Sequence, residues 1–456
     1  MTADPMRWLW AAVAVALWLA VIAAVVIARR LARRREAAKA AALAPTEGRA
    51  DVLVAYASQT GLAEELAWMT ARSLSEAGTS ARVALLGDLE AKDLRIARQL
   101  LIVASTTGEG DAPDSMSWFV RKQMSGPADL SGLRYGLLAL GDRTYAEFCG
   151  FGRALDGWLQ ASGASRLFDT VEVDNGETGA IRHWQHQLGQ LTGHAVQADW
   201  TPPAYDRWRL VERAHLNPGS PGGETWWLAF EPVDHAPDWV AGDIAEVGLP
   251  ARDGQPTTSR EYSVASLPSE GRVIFIVRRM IAPDGTPGLG SGWLTRDLSV
   301  GDEIGMRIRT NRSFHGPAVE TPLILIGNGT GLAGLRAHLK GREGAAHGGT
   351  WLMFGERTLA HDALLDEELQ AALASGALTR LARAFSRDAG DERYVQALIT
   401  EHAAEVAAWV GCGATIMVCG SRDGMAGGVH AALEDVLGAD GLQALTEASR
   451  YRRDVY

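Results

Sequence analysis

Cysteine is scarce in this chain of 456 residues, which has only Cys149, Cys412 and Cys419. Three cysteines cannot build a disulfide framework, and their spacing forms neither a Cys-x-x-Cys pair nor a zinc pattern, so no metal site is expected. The bulk of the chain reads as cytosolic. Positive charge is also in deficit. With 44 Lys and Arg against 55 Asp and Glu, the net charge of -11 argues against nucleic acid as a partner and leaves room for a basic protein. No ligand set for haem or an iron-sulfur cluster is visible anywhere in the sequence.

Charge is missing altogether from one stretch, "WLWAAVAVALWLAVIAAVVIA", residues 8 to 28. A helix needs ~20 apolar residues to cross a hydrocarbon core, so this stretch is long enough to be a membrane span. A cleaved signal peptide would have a shorter apolar core and a small-residue cleavage site. Here the span runs directly into Arg29, Arg30, Arg33, Arg34, Arg35 and Lys39, while only Arg7 precedes it. The positive-inside rule then places the N-terminus outside and the remainder in the cytoplasm, as expected of a single-pass protein of the inner membrane. The Ala-rich stretch to residue 50 reads as a linker or helical stalk.

Beyond the span, room remains for about three domains on a prior of ~150 residues each. The first opens with "DVLVAYASQTGLAEELA", in which an apolar strand leads through a hydroxyl-rich turn into an amphipathic helix from about Leu62. Turns of this kind offer N–H and hydroxyl donors to a phosphate. "LLIVASTTGEGDAPD" and "YGLLALGDRTYAEFCGFGRALDGWL" repeat the strand-then-turn arrangement, and ligands of open parallel sheets sit at such strand ends. Any one of them alone reads as an ordinary strand-helix turn.

Together the three turns resemble the FMN-binding domain of flavodoxins, and more closely the flavodoxin half of diflavin reductases such as the sulfite reductase flavoprotein subunit. The resemblance implies that Ser58, Gln59, Thr60 and Gly61 hold the FMN phosphate, that Thr106, Gly108 and Glu109 form the second flavin loop, that Tyr145 stacks on the isoalloxazine and that Asp174 lies near its edge. Thr107 stands where many partners of haem monooxygenases carry a second aromatic ring, which implies a less enclosed FMN.

After residue 195 the pattern changes to short alternating strands, "WWLAFEPVD", "GDIAEVGLP", "EYSVASLP" and "RVIFIVRRM", which predict an antiparallel barrel or sandwich. Within it, "REYSVAS" and the glycine turn of "GLGSGWLT" resemble the FAD barrel of the ferredoxin-NADP reductase family. Arg260, Tyr262, Ser263, Gly290 and Ser291 carry over as FAD-binding positions.

The last third returns to strand-helix alternation. In "PLILIGNGTGLAGLRAHL", Gly329, Gly331 and Gly334 satisfy G-x-G-x-x-G, with Glu356 about where a ribose acid would stand, and a literal reading suggests NAD. The reductase family offers a different reading, in which the turn resembles "GPGTGIAP", with Asn328 and Gly334 in place of two prolines. Gly329, Thr330, Gly331 and Arg357 are then nucleotide-binding positions. "RAFSRDAGDERYVQ" points to NADPH, because Ser386 and Arg387 suit a 2'-phosphate and Tyr394 can cover the adenine. Glu392 occupies the family's lysine position and Arg393 follows one place later.

Two positions remain. Cys419 ends a strand where the family keeps a cysteine beside the nicotinamide; otherwise it is a buried thiol. Tyr456 is the chain's last residue, and in the family a terminal aromatic lies flat on the FAD ring and must move before the nicotinamide can stack. Ser263, Cys419, Asp454 and Tyr456 are thus the expected catalytic group.

The expected architecture is a membrane anchor over residues 1–50, a doubly wound α/β flavodoxin-like FMN domain over 51–195, an FAD-binding β-barrel over 196–318 and an α/β NADPH-binding domain over 319–456. Only 16 residues separate Asp243 from Arg260, so the helical connecting domain of larger diflavin reductases is absent. The resemblance implies electron flow from NADPH through FAD and FMN to an acceptor protein, a haemoprotein or alternatively a ferric chelate; a tethered scaffold with empty sites is the non-enzymatic alternative.

Overall fold

The computed structural model describes residues 51–59, 61–143, 145–193, 204–235, 237–250, 259–390 and 393–456, together with the backbone but not the side chain of Asp423. The expected membrane span, Thr60 and Glu392 lie outside the described residues. Among the described residues no helix is long and apolar enough to cross a membrane.

Three sheets organise the chain. In the first, β1 (Val52–Ala57), β2 (Ala81–Leu85), β3 (Gln99–Ser105), β4 (Arg134–Gly141), β5 (Ser165–Arg166) and β6 (Val171–Asp174) are all parallel, in the order β2-β1-β3-β4-β5, with β6 also on β4. Side chains of a strand alternate between faces, and both faces of β1 are buried. Val52 and Val54 face one core with Leu66, Ala67 and Trp184; Leu53 and Ala55 face the other with Phe119, Phe151 and Leu155. Helices α1 (Leu62–Glu76) and α3 (Thr178–Thr192) supply the first core and α2 (Gly150–Ala161) the second. A sheet covered on both faces leaves only its strand ends open to a ligand.

The second sheet is antiparallel, with β7 (Asp206–His215), β8 (Thr225–Pro232), β9 (Ile244–Gly248), β10 (Ser259–Ser263), β11 (Val273–Arg278) and β12 (Glu303–Arg309) in the order β10-β9-β12-β7-β8-β11. It rolls around Trp208, Phe230, Phe275 and Met306. Just beyond β10, Ala265 N–H donates to the Ile274 carbonyl at 2.8 Å and the Ile274 N–H to Ser266 Oγ at 3.0 Å, bringing the two outer strands together. β9 and β10 pair directly over Ile244–Gly248 and Ser259–Ser263.

The third sheet is parallel. β13 (Leu323–Asn328), β14 (Thr350–Glu356), β15 (Arg380–Phe385), β16 (Thr415–Gly420) and β17 (Tyr451–Val455) take the order β15-β14-β13-β16-β17. The strand order reverses at β13, so the crevice at its carboxyl end, where Gly329–Gly331 lead into α4 (Leu332–Lys340), is the topological place for a nucleotide. β17, the chain's last strand, lies at the edge.

The first sheet's ligand-facing end, its loops and the start of α1, is seated against the other two, with Arg453 of the third bonding Asp114 at 2.9 Å. Arg307 bonds Glu65 at 3.0 Å, Arg312 bonds Glu64 at 3.1 Å, and Ser313 Oγ donates to the Gln59 carbonyl at 2.7 Å. A compact chain thus brings its three strand-end sites to one junction without an intervening domain.

Candidate active site

The turn after β1 is closed by Ser58, whose Oγ accepts the Gly61 N–H at 2.9 Å. Gly61 has φ +87°, and a Cβ there would stand 2.4 Å from the Thr310 carbonyl oxygen, so glycine is required both for the backbone and for the neighbouring domain. The Gln59 carboxamide is committed within the protein: its Oε1 accepts the Asp114 N–H at 3.0 Å and its Nε2 donates to the Arg453 carbonyl at 3.1 Å. Its role at a phosphate therefore falls to its backbone N–H.

In the second loop the buried hydroxyls of Thr106 and Thr107 have no partner among the described residues. A buried hydroxyl left unpaired costs free energy, so this pair fits a ligand edge that offers donors and acceptors. Thr107, which stands where many partners of haem monooxygenases carry an aromatic ring, contributes such a hydroxyl. Gly108 turns at φ +58°. Glu109 caps the third loop by accepting the Ala146 N–H at 3.2 Å, and Asp174 does likewise for the Arg143 N–H at 3.0 Å. Tyr145, 38% exposed, carries the Arg422 guanidinium 4.6 Å above its ring.

On β10, alternation sends Arg260 and Tyr262 to one side and Ser263 to the other. Tyr262 stacks on Phe275 at 5.4 Å, and burial pushes its phenol pKa up. A Cβ on Gly290 would lie 2.8 Å from the Tyr262 hydroxyl and 2.9 Å from Arg260 Cγ, so the glycine turn closes on both side chains. Ser291 Oγ accepts the Met280 N–H at 3.1 Å, which holds that turn. The set fits a flavin carrying a pyrophosphate: an aromatic face, a guanidinium and a close-approaching glycine backbone.

Behind the glycine turn of the third sheet lies a cavity of ≈ 380 Å³ lined by Gly329, Arg357, Ser386, Arg387 and Tyr394. Buried Arg357 Nη1 has no partner among the described residues, which fits an anion. Arg393 does not line the cavity; it pairs with Glu401. Sequence reasoning missed Arg278, which reaches the cavity from the end of β11 and pairs with Glu356. The signal was available in "IVRRM", two cations at a strand end. Burial raises the Glu356 pKa while Arg278 opposes the shift. The two departures from the family's turn also find a reason. Asn328 Oδ1 accepts the Ser421 N–H at 3.0 Å, tying the turn to the end of β16. A Cβ on Gly334 would stand 2.9 Å from Cys419 Sγ, so glycine allows the thiol to pack against α4.

Where the second and third sheets meet, the four expected catalytic residues converge. Ser263 Oγ donates to Asp454 Oδ2 at 2.7 Å, and Cys419 Sγ lies 3.7 Å from the same oxygen. Tyr456, 57% exposed as a whole residue, donates from its hydroxyl to Thr330 Oγ1 at 2.9 Å. Burial, then the nearby Asp454 carboxylate, pushes the Cys419 thiol up, so it stays protonated. Burial also raises Asp454, against the hydrogen bonds from Ser263 and Cys419, so this carboxyl can hold a proton nearer neutrality than an ordinary aspartate.

Comparison with known proteins matches this arrangement. The flavodoxin family matches residues 54–184, and the oxidoreductase NAD-binding domain matches residues 325–431. The chain is a flavoprotein oxidoreductase. It is similar to proteins named sulfite reductase [NADPH] flavoprotein alpha-component: that of Vibrio vulnificus is 26% identical, covering 88% of this chain and 87% of the relative. The Bacillus subtilis protein is 26% identical, covering 89% of each, and the Yersinia enterocolitica protein 28%, covering 88% and 89%. The Vibrio alignment runs over 542 positions, more than the 456 residues of this flavoprotein, so that relative has segments with no counterpart here.

Proposed function

We propose that this flavoprotein is a membrane-anchored diflavin reductase that carries electrons from NADPH through FAD to FMN and on to a separate haemoprotein. It is an NADPH-dependent flavoprotein oxidoreductase, and its cofactors are FMN, FAD and NADPH. Bound nucleotide supplies a hydride and the flavins divide its electron pair into single-electron steps. The protein's own contribution is geometry and proton placement. Ser58, the Gln59 backbone and Gly61 would cradle the FMN phosphate, and Thr106 and Tyr145 would hold its ring. Arg260, Tyr262, Gly290 and Ser291 hold FAD. Gly329 and Arg357 take the nucleotide pyrophosphate, and Ser386, Arg387 and Tyr394 its adenosine end. Ser263 and Asp454 would hold a proton at the transfer edge, and Tyr456 would be the ring that shields the flavin.

The observation that carries the electron path is the seating of the flavodoxin loops on the strand that holds the transfer centre. Arg453 bonds Asp114 of the flavodoxin domain, and the next residue, Asp454, bonds Ser263 of the FAD sheet. The anchor is supported by the uncharged span at residues 8 to 28 and the arginines behind it, and a separate acceptor by the relatives' name, which makes each a component. The expected location is the inner membrane with the flavin domains in the cytoplasm.

The full chain, purified from membranes, is expected to carry FAD and FMN together and to reduce a haemoprotein with NADPH only while FMN is bound. A chain starting at residue 51 should leave the membrane and keep both flavins. A single flavin, or none, would overturn the reading; faster reduction of ferric chelates than of any haemoprotein would replace the acceptor.

A further inference from the structure

The last strand does more than carry Asp454 and Tyr456. β17 is an edge strand, paired among the described residues with β16 alone. A five-residue edge strand is the kind of element that frays. Here its other side is occupied by the flavodoxin domain. Arg453 Nε donates to Asp114 Oδ2 at 2.9 Å while its Nη2 bonds Asp114 Oδ1, a fork-to-fork contact across 339 residues of sequence. The Arg453 carbonyl accepts the Gln59 carboxamide at 3.1 Å, and the same carboxamide accepts the Asp114 N–H at 3.0 Å. Gln59, Asp114 and Arg453 thus form a closed ring of contacts, two of its members in the flavodoxin domain and the third in β17.

Alternation makes this ring matter at the reaction centre. With Arg453 facing the flavodoxin domain, Asp454 faces Ser263 and Cys419. Two residues on, the Tyr456 N–H donates to the Gly420 carbonyl at 3.1 Å and its hydroxyl reaches Thr330. A strand held at 453 from one side cannot tilt without moving 454 and 456 on the other. The Arg453 and Asp114 side chains are 31% and 19% exposed, so solvent screens their attraction only in part.

We infer that Arg453 is a positioning residue: its clamp on Asp114 makes the seating of Asp454 and of the Tyr456 lid depend on the docked flavodoxin domain. Release of the clamp removes the charged contact and leaves the outer edge of the strand with the neutral bond from Gln59 to the Arg453 carbonyl, so the lid loosens and nicotinamide entry costs less. Coupling is reciprocal, so a nucleotide that displaces Tyr456 weakens the docking of the flavodoxin domain by the same factor. The inference rests on the two-flavin reading proposed above.

The test uses the full chain with its flavins, as wild type, Asp114→Ala, Arg453→Gln and each of these combined with Tyr456→Ala. In both single variants, amide hydrogen exchange over 451–456 should speed up on the order of tenfold, since a charge-assisted contact of this kind is worth about that factor or more. The NADH-to-NADPH ratio of kcat/KM, read with ferricyanide, should rise ~3- to 10-fold, with no further rise in the Tyr456→Ala background. Binding of 2',5'-ADP, which does not reach the lid, should stay unchanged. Exchange and ratio both within about twofold of wild type, at full FAD content, would overturn the inference. If Asp114→Ala sheds FMN, Arg453→Gln decides by the same readings, because its flavodoxin loops are unaltered. Wild type lacking one flavin would overturn the two-flavin reading and this inference with it; intact flavins with unmoved exchange would overturn the clamp alone.

Discussion

Ser263 and Asp454, 191 residues apart in sequence, share a hydrogen bond of 2.7 Å that joins the FAD sheet to the edge strand of the nucleotide sheet. Burial is the main reason that the Asp454 pKa is raised, and the hydrogen bonds from Ser263 and Cys419 oppose it. A carboxyl whose folded pKa lies above its unfolded value of ~3.9 contributes in full below that value and loses its contribution as pH rises through the folded pKa. Asp454→Asn keeps an acceptor for Ser263 and removes the buried charge. Its melting temperature relative to wild type should therefore climb as pH rises above about 4, the pKa of an unfolded aspartate. A constant difference across that range would show that Asp454 does not titrate there. Ser263→Ala should slow single-turnover bleaching of the FAD by NADPH roughly 100-fold, the scale of a lost proton-placing group, with flavin content intact.

Arg387 lines the nucleotide cavity beside Ser386. Its contact to a 2'-phosphate would be charge-assisted, worth ~1.5–3 kcal/mol. Arg387→Ala should raise the KM for NADPH about 10- to 100-fold and that for NADH no more than about twofold. Equal losses for the two nucleotides would move the phosphate to Arg357.

Gly61 and Gly78 offer a matched pair. Both have positive φ, +87° and +79°, but a Cβ on Gly61 would strike the Thr310 carbonyl while one on Gly78 would meet nothing within 4 Å. Gly78→Ala should therefore cost only the backbone strain of a left-handed residue, ~1–2 kcal/mol. Gly61→Ala should cost that and also force the FMN turn off the barrel. FMN content and the rate of haemoprotein reduction should fall in Gly61→Ala alone; equal behaviour of the two variants would mean that the Thr310 contact is not maintained in solution.

Much of this was legible because local pattern and chemistry coincide. The apolar runs of β1, β3 and β13 end in turns of small and polar residues, and a parallel sheet covered on both faces leaves ligands nowhere else to bind. Alternation in "REYSVAS" likewise separates Tyr262 from Ser263. The contacts between sheets were not legible. Nothing local in "RRDVY" says that Arg453 meets Asp114, because that pairing is set by how three separately folded sheets seat against one another. Arg278 escaped for a similar reason: its strand belongs to the barrel, whereas the cavity it enters belongs to the nucleotide sheet. The role of Gln59 was read from its place in the turn, but its carboxamide is drawn to Asp114 and Arg453 by that same seating.

The end of the chain gives the sharpest test. Tyr456 is fixed by its backbone to Gly420 and by its hydroxyl to Thr330, so removing the ring or only its hydroxyl separates two effects. On the proposed reading a nicotinamide must displace the ring, and the displacement draws on binding energy. NADPH would have 2'-phosphate contacts from Ser386 and Arg387 to offset that cost, whereas NADH lacks the phosphate. Tyr456→Ala removes the cost for both, so the weakly anchored nucleotide gains more, and the NADH-to-NADPH ratio of kcat/KM should rise by about tenfold or more. Tyr456→Phe keeps the ring and loses only the Thr330 bond, a neutral hydrogen bond worth ~0.5–1.5 kcal/mol, so its ratio should rise only about 2- to 10-fold. The measurement is steady-state reduction of ferricyanide with each nucleotide, with FAD content determined in every preparation. An unchanged ratio in Tyr456→Ala at full FAD occupancy would mean that the ring is not a lid, and a Tyr456→Phe value equal to that of Tyr456→Ala would assign the whole effect to the hydroxyl.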